Sequence, residues 1–206
     1  MSLIDSPHAS VGASITQAVL HAAQRLGLER GALLAAIGLE ESQLADPDAR
    51  VPFAIQERLW ELLGERIDHP EPGLALGQHL APGPFSVLGY LLQSSPTLSE
   101  ALAAGLRYQR LVGEGGELCL EEDAEALRLI YRPLHPGRPA TRTRVLALMS
   151  FWVRMMAPLL DDFRLLRAEF GHPAPAEQAA YRELFACELR FCAADYALVL
   201  PAALRD

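Results

Sequence analysis

Gly116-Glu117-Leu118-Cys119-Leu120-Glu121-Glu122-Asp123-Ala124-Glu125-Ala126-Leu127-Arg128-Leu129-Ile130-Tyr131-Arg132 is the stretch where the chain changes period. Upstream of it, apolar residues recur at helical spacing; here they recur every second residue. Leu118 and Leu120 fall on one face, with Cys119 and Glu121 on the other. Leu127, Leu129 and Tyr131 stand opposite Arg128, Ile130 and Arg132. Successive side chains of a strand point to opposite faces, so each run predicts a half-buried strand. Asp123-Ala124-Glu125 joins them, which makes the pair an antiparallel hairpin.

Downstream, Pro136-Gly137 closes the hairpin region and residues 141–160 form the longest expected helix. Val145, Leu148, Met149, Trp152, Met155, Met156 and Leu159 make a stripe broad enough to predict burial against a sheet. A third strand is expected at 164–170, where Leu166, Ala168 and Phe170 alternate with Arg167 and Glu169. Pro173-Ala174-Pro175 leads into a helix near 176–186. Leu189-Arg190-Phe191 and Ala197-Leu198-Val199-Leu200 fit a last strand pair, or a strand and a turn.

Upstream, residues 12–26 place Ile15, Val19, Ala22, Ala23 and Leu26 on one helical face before Gly27. A second helix near 30–37 ends at Gly38, a C-cap glycine. This pair lacks the basic and polar side chains of a DNA-reading helix. Pro52 opens a helix to about Ile67, with Phe53, Gln56, Leu59, Trp60, Leu63 and Ile67 on one stripe, all apolar but Gln56. A short helix follows at 73–80, and another is expected from Phe85 through Leu88, Tyr90, Leu91 and Leu92. Thr97 with Glu100 forms a capping-box pattern, and the helix it starts ends near Gly113. The fold class is therefore α+β: a helical part (12–113), then a mostly antiparallel sheet in β-β-α-β-α-β order, covered by the long helix (114–206). Residues 12–206 are expected to form a single domain, with 1–11 a disordered lead-in or tag remnant.

A chain of 206 residues can bury a core without disulfide or metal support. Its formal net charge is −8, from 18 Lys+Arg against 26 Asp+Glu. Nucleic-acid binding depends on clustered cations, so these residues are not expected to bind DNA by themselves. Cys119, Cys187 and Cys192 have no disulfide-framework or zinc spacing. No signal peptide is visible, and no apolar run approaches the roughly 20 residues of a membrane span. The expected setting is the cytoplasm, with no membrane partner.

Chemical motifs are sparse. There is no nucleophile elbow, P-loop or dinucleotide fingerprint. The six histidines never take metal-ligand spacing, so no metal or cofactor is expected. Asp161-Asp162 and Glu121-Glu122-Asp123 fit solvated turns better than a catalytic pair, which needs two distinct environments. His172 fits a turn histidine bonded to backbone, and the cysteines fit structural burial. No enzymatic activity is expected. The suggestive stretch is Arg107-Tyr108-Gln109-Arg110, at the end of a helix just before the sheet. A pocket at such a junction would take aromatic walls from Phe85, Tyr90, Tyr108, Tyr131 and Trp152, and Arg107 or Arg110 would hold an anionic group. The alternative is that these aromatics are core and these arginines are solvated.

Several segments together resemble a known family. They are Leu44-Ala45-Asp46-Pro47-Asp48-Ala49-Arg50-Val51-Pro52, Gly73-Leu74-Ala75-Leu76-Gly77, Gly89-Tyr90-Leu91-Leu92-Gln93-Ser94-Ser95-Pro96-Thr97-Leu98-Ser99-Glu100-Ala101-Leu102, Arg107-Tyr108-Gln109-Arg110-Leu111 and Phe170-Gly171-His172-Pro173-Ala174-Pro175. Tyr181, Leu184-Phe185 and Leu189-Arg190-Phe191 complete the set. In order and spacing it resembles the N-terminal domain of AraC-type bacterial transcriptional regulators, in the subfamily of ornithine-type regulators. The resemblance implies a domain that binds a small-molecule effector and forms a homodimer. Promoter DNA would be bound by a C-terminal helix-turn-helix domain that this sequence does not contain. The element order also resembles a haem-based gas-sensor fold, but the tyrosine-x-serine-x-arginine signature is missing. A stand-alone small-molecule or haem-type gas sensor is the alternative.

Overall fold

The structure is a computed structural model, which describes residues 9–46, 48–81, 94–160 and 162–204. The helix expected from Phe85 lies outside the described residues. The described residues open with β1 (Ser10–Gly12), α1 (Ala13–Arg25) and α2 (Arg30–Ile37). The Glu29 carboxylate accepts from the Gly31 and Ala32 amides to start α2, and Gly38, at φ 69°, ends it in the left-handed conformation. β2 (Arg50–Pro52) pairs antiparallel with β1 and runs straight into α3 (Phe53–Arg66). Among the described residues, α4 (Pro72–Gly77) and α5 (Leu98–Val112) follow in the helical part. At the start of α5, Thr97 Oγ1 accepts from the Glu100 amide at 3.2 Å.

The expected hairpin is β3 (Gly116–Glu122) and β4 (Ala126–Pro133), with Leu118 opposite Tyr131 and Leu120 opposite Leu129. α6 (Pro139–Met156) follows, then β5 (Arg167–Glu169), α7 (Ala179–Phe185), β6 (Glu188–Arg190) and β7 (Tyr196–Pro201). The sheet order is β3-β4-β7-β5-β6. All its pairings are antiparallel except β5 with β6. The α+β class holds, with differences in detail.

The two short strands β1 and β2 were not expected, because three residues are too few to display a period of two. β1 also begins inside the stretch assigned to the lead-in. The third strand shrinks from 164–170 to three residues, the length over which it meets both neighbours. Of the two readings of the last segments, a strand pair or a strand and a turn, two strands form, β6 and β7, but they are separated by β5 and do not pair with each other. The long helix stops at Met156, and a 3₁₀ turn (Ala157–Leu159) containing Pro158 follows it.

A further difference concerns what α6 covers. Among the described residues, two hydrophobic clusters fill the interior. One joins α1, α2 and α3 through Leu20, Leu33, Leu59, Trp60 and Leu63. The other joins the inner sheet face, through Leu127, Leu129, Tyr131 and Leu198, to Phe170, Tyr181 and Phe185. α6 supplies Ala140 and Ala147 to the first and Val145, Leu146, Met149, Val153 and Met156 to the second. It is therefore covered by helices on one side and by the sheet on the other. α4 lies directly against it. A Cβ on Gly77 would stand 2.5 Å from the Ala147 carbonyl oxygen and collide with Ser150, and one on Gly73 would stand 2.8 Å from Leu146 Cβ. Ser150 Oγ donates to the Leu74 carbonyl at 3.1 Å and accepts from Gln78 Nε2 at 2.9 Å.

Candidate ligand-binding site

A cavity of about 510 Å³ lies at the junction of the two clusters. α1 contributes Ser14, Ile15 and Ala18, α3 contributes Phe53, Gln56 and Trp60, and α5 contributes Gly105 and Gln109. The sheet supplies Leu118 and Tyr131, and α6 supplies Arg144, Leu148, Phe151 and Trp152. Arg144, Leu148 and Trp152 follow one another at four-residue intervals, so one face of α6 forms a wall. Leu148 and Trp152, expected in the buried stripe, are half-buried for this reason. Trp152 meets Tyr131 edge to face at 5.9 Å.

The polar groups of the wall are fixed. Thr16 Oγ1 donates to Gln56 Oε1 at 2.8 Å, and both residues are buried. Gln109 Oε1 accepts from the Leu118 amide at 2.7 Å, while its Nε2 donates to the carbonyls of Leu106 and Leu118. The side chain thus pairs with Leu118 as a neighbouring strand would. Arg144 is 4% exposed. It donates to the Gly115 carbonyl at 2.6 Å, the Tyr131 hydroxyl at 2.7 Å and the Leu134 carbonyl at 3.1 Å. Its guanidinium also lies 5.1 Å from the Phe53 ring centroid. Gly115 permits this approach: a Cβ there would come within 2.8 Å of the guanidinium and 2.7 Å of Phe53.

Residues 27–206 match the family model for the arabinose-binding domain of AraC transcription regulators, N-terminal. The chain belongs to this family. It is accordingly a ligand-sensing domain of the AraC transcription-regulator class, and the gas-sensor alternative is not favoured. The ornithine utilization regulator of Pseudomonas aeruginosa is 29% identical over 185 residues, covering 88% of this chain and 54% of that protein. The fold matches the crystal structure of transcriptional regulator CdpR from Pseudomonas aeruginosa with a TM-score of 0.62 at 20% identity, covering 90% of this chain and 56% of that one. The chain spans about half the length of these two relatives.

Of the residues expected from the sequence, Tyr131 and Trp152 line the cavity of this AraC-type domain. Arg107, Tyr108 and Arg110 stand on α5 but are not among the lining residues, and Arg107 and Arg110 are exposed. The Arg107 guanidinium lies 5.7 Å from the Tyr108 ring. Phe85 and Tyr90 lie outside the described residues. The sequence reading passed over Phe53, Trp60 and Arg144 as site residues. The signal for Arg144 was a charge within the apolar face of the long helix; for the α3 residues it was Gln56, the lone polar member of its stripe.

His172 Nδ1 meets the carbonyl oxygen of Pro173 at 2.9 Å, and its Nε2 lies 3.4 Å from the Tyr181 hydroxyl. It is buried among Phe170, Tyr181, Phe191 and Tyr196. Burial lowers its pKa below the usual histidine value. The cysteines correct an expectation: Cys119 and Cys187 are half-buried, but Cys192 is exposed, in a tight turn at φ 54°. Burial pushes the Cys187 thiol up to about 11, so it stays protonated. Among the described residues no helix is long and apolar enough to cross a membrane.

Proposed function

We propose that this domain binds a small-molecule effector in the cavity between its helical and sheet clusters. Filling the cavity shifts the conformational balance of a transcriptional regulator. The observation that carries the reading is the cavity itself. Its volume is that of a small-molecule site, and its wall is aromatic with a few held polar groups. Tyr131 and Trp152 are wall residues in this reading. Residues 12–206 act as one effector-binding unit, which is supported by the membership of α6 in both clusters. The sensor is non-enzymatic and cytoplasmic. It works as a homodimer and controls promoter DNA through a separate helix-turn-helix part of a longer protein; these finer points rest on family membership.

Trp60 and Trp152 are the two tryptophans of the chain, and both line the cavity. Their emission therefore reports on its occupant. We expect at least one class among amino acids, fatty acids, aromatic acids and sugars to change that emission and raise the melting temperature. At 100 times the dissociation constant the gain is about 2.7 kcal/mol, or roughly 5–10 °C for a chain of this size. A melting shift that leaves both indoles unperturbed would move the site elsewhere. No shift with any class would remove the effector reading.

A further inference from the structure

We propose that the effector is an organic monoanion, an apolar or aromatic body carrying one carboxylate, and that the carboxylate is held by Arg144. The inference deepens the effector reading above and rests on it. A buried charge is costly unless it is paired. Arg144 is a buried cation, yet its hydrogen-bond partners are two backbone carbonyls and a hydroxyl, and its other contacts are the faces of Phe53 and Tyr131. Among the described residues no carboxylate forms an ion pair with it. The buried carboxylates are engaged elsewhere: Glu57 with Arg138 and His135, Glu71 with Arg142, Glu169 with Arg128 and Arg167.

The rest of the wall points the same way. Among the described residues, no Asp or Glu lines the cavity, although the chain has 26 of them and a net charge of −8. The other charged member is Arg30, which Glu41 pairs at 2.6 Å. The exposed His21 also lines the cavity. An acidic protein thus encloses an acid-free cavity with an uncompensated guanidinium in its wall. A carboxylate supplied by the ligand would complete that pair through charge-assisted hydrogen bonds. The aromatic wall of Phe53, Trp60, Tyr131, Phe151 and Trp152 suits an apolar body. A ligand with an added ammonium, such as a diamino acid, would find no carboxylate to receive it.

The test is a tryptophan-emission titration of the 206-residue chain with matched probes. These are 3-phenylpropionate, 3-phenylpropanamide and 3-phenylpropylamine, with octanoate and octylamine as the aliphatic pair and L-ornithine beside them. Each acid should bind at least about tenfold more tightly than its neutral or cationic counterpart, a difference typical of one charge-assisted contact. Ornithine should bind more weakly than 3-phenylpropionate. Arg144→Gln should erase the preference for acid over amide, and Arg144→Lys should keep part of it. Should Arg144→Gln not fold, the acid-to-amide ratio on the unaltered chain still decides. Equal binding of acid and amide, or tighter binding of an amine or ornithine, overturns the monoanion inference and leaves the cavity as the site. If no probe of any charge perturbs either tryptophan, the monoanion inference fails, and the cavity reading stands or falls on the wider ligand classes above.

Discussion

His172 is enclosed by aromatic rings, and Arg142, which reaches the hydroxyl of the neighbouring Tyr181, adds positive charge nearby. Burial first, and that charge second, keep its pKa below 6.5 despite the opposing Pro173 carbonyl. The folded protein therefore binds this proton less readily than the unfolded chain. The resulting stability is complete above about pH 6.5 and is lost as pH falls through that value toward the lower folded one. The paired Glu169 also has a lowered pKa, since Arg128 and Arg167 outweigh its burial, but its contribution fades only below the ordinary carboxylate value of 4.5. Thermal melts between pH 7.5 and 5 should thus show a decline that His172→Gln flattens while lowering the melting temperature overall. An unchanged slope in that variant would show that the proton is taken up elsewhere. Single residues were unevenly legible in the sequence. Tyr131 was found because the alternation of β4 sets its face. Arg144 was missed because a charge on a helix is ordinarily solvated, and only the surroundings of α6 on both sides bury it.

α5 is hydrogen-bonded to the sheet through the Gln109 side chain. Gln109 places a primary amide against the amide and carbonyl of Leu118, on the outer strand β3, and so occupies part of an otherwise open edge. Gln109→Ala removes both partners of Leu118 and should cost about 1–2 kcal/mol. The Leu118 amide should also lose hydrogen-exchange protection, while the amides of β4 and β7 keep theirs. Loss of protection spread across the whole sheet would show that Gln109 does more than cover the edge. Long elements were legible because their apolar spacing repeats: α1, α3, the β3–β4 hairpin and α6 all lie close to their expected bounds. β1, β2 and the trimmed β5 were not. Their lengths are set by where partners from distant parts of the chain meet them, and local sequence carries no trace of that.

Two clusters that share a helix should unfold together. Leu63→Ala, in the helical cluster, and Leu198→Ala, in the sheet cluster, should each cost about 2–5 kcal/mol. Each should shift one common transition, followed equally by tryptophan emission and far-ultraviolet circular dichroism. Two separated transitions in either variant would mean that α6 does not bind the halves into one cooperative unit. The overall class was readable from the change of period at Gly116, but the cavity was not, because it is bounded by elements from β1 to α6 that no sequence window contains together. The contact between α4 and α6 has one more consequence. Gly73 and Gly77 let the two backbones touch with no side chain between them, so there is no play in the joint. Any tilt of α6 must carry α4 along, as one strut driven by two bolts, and the strut's far face is where movement begun at Arg144 would leave the cavity.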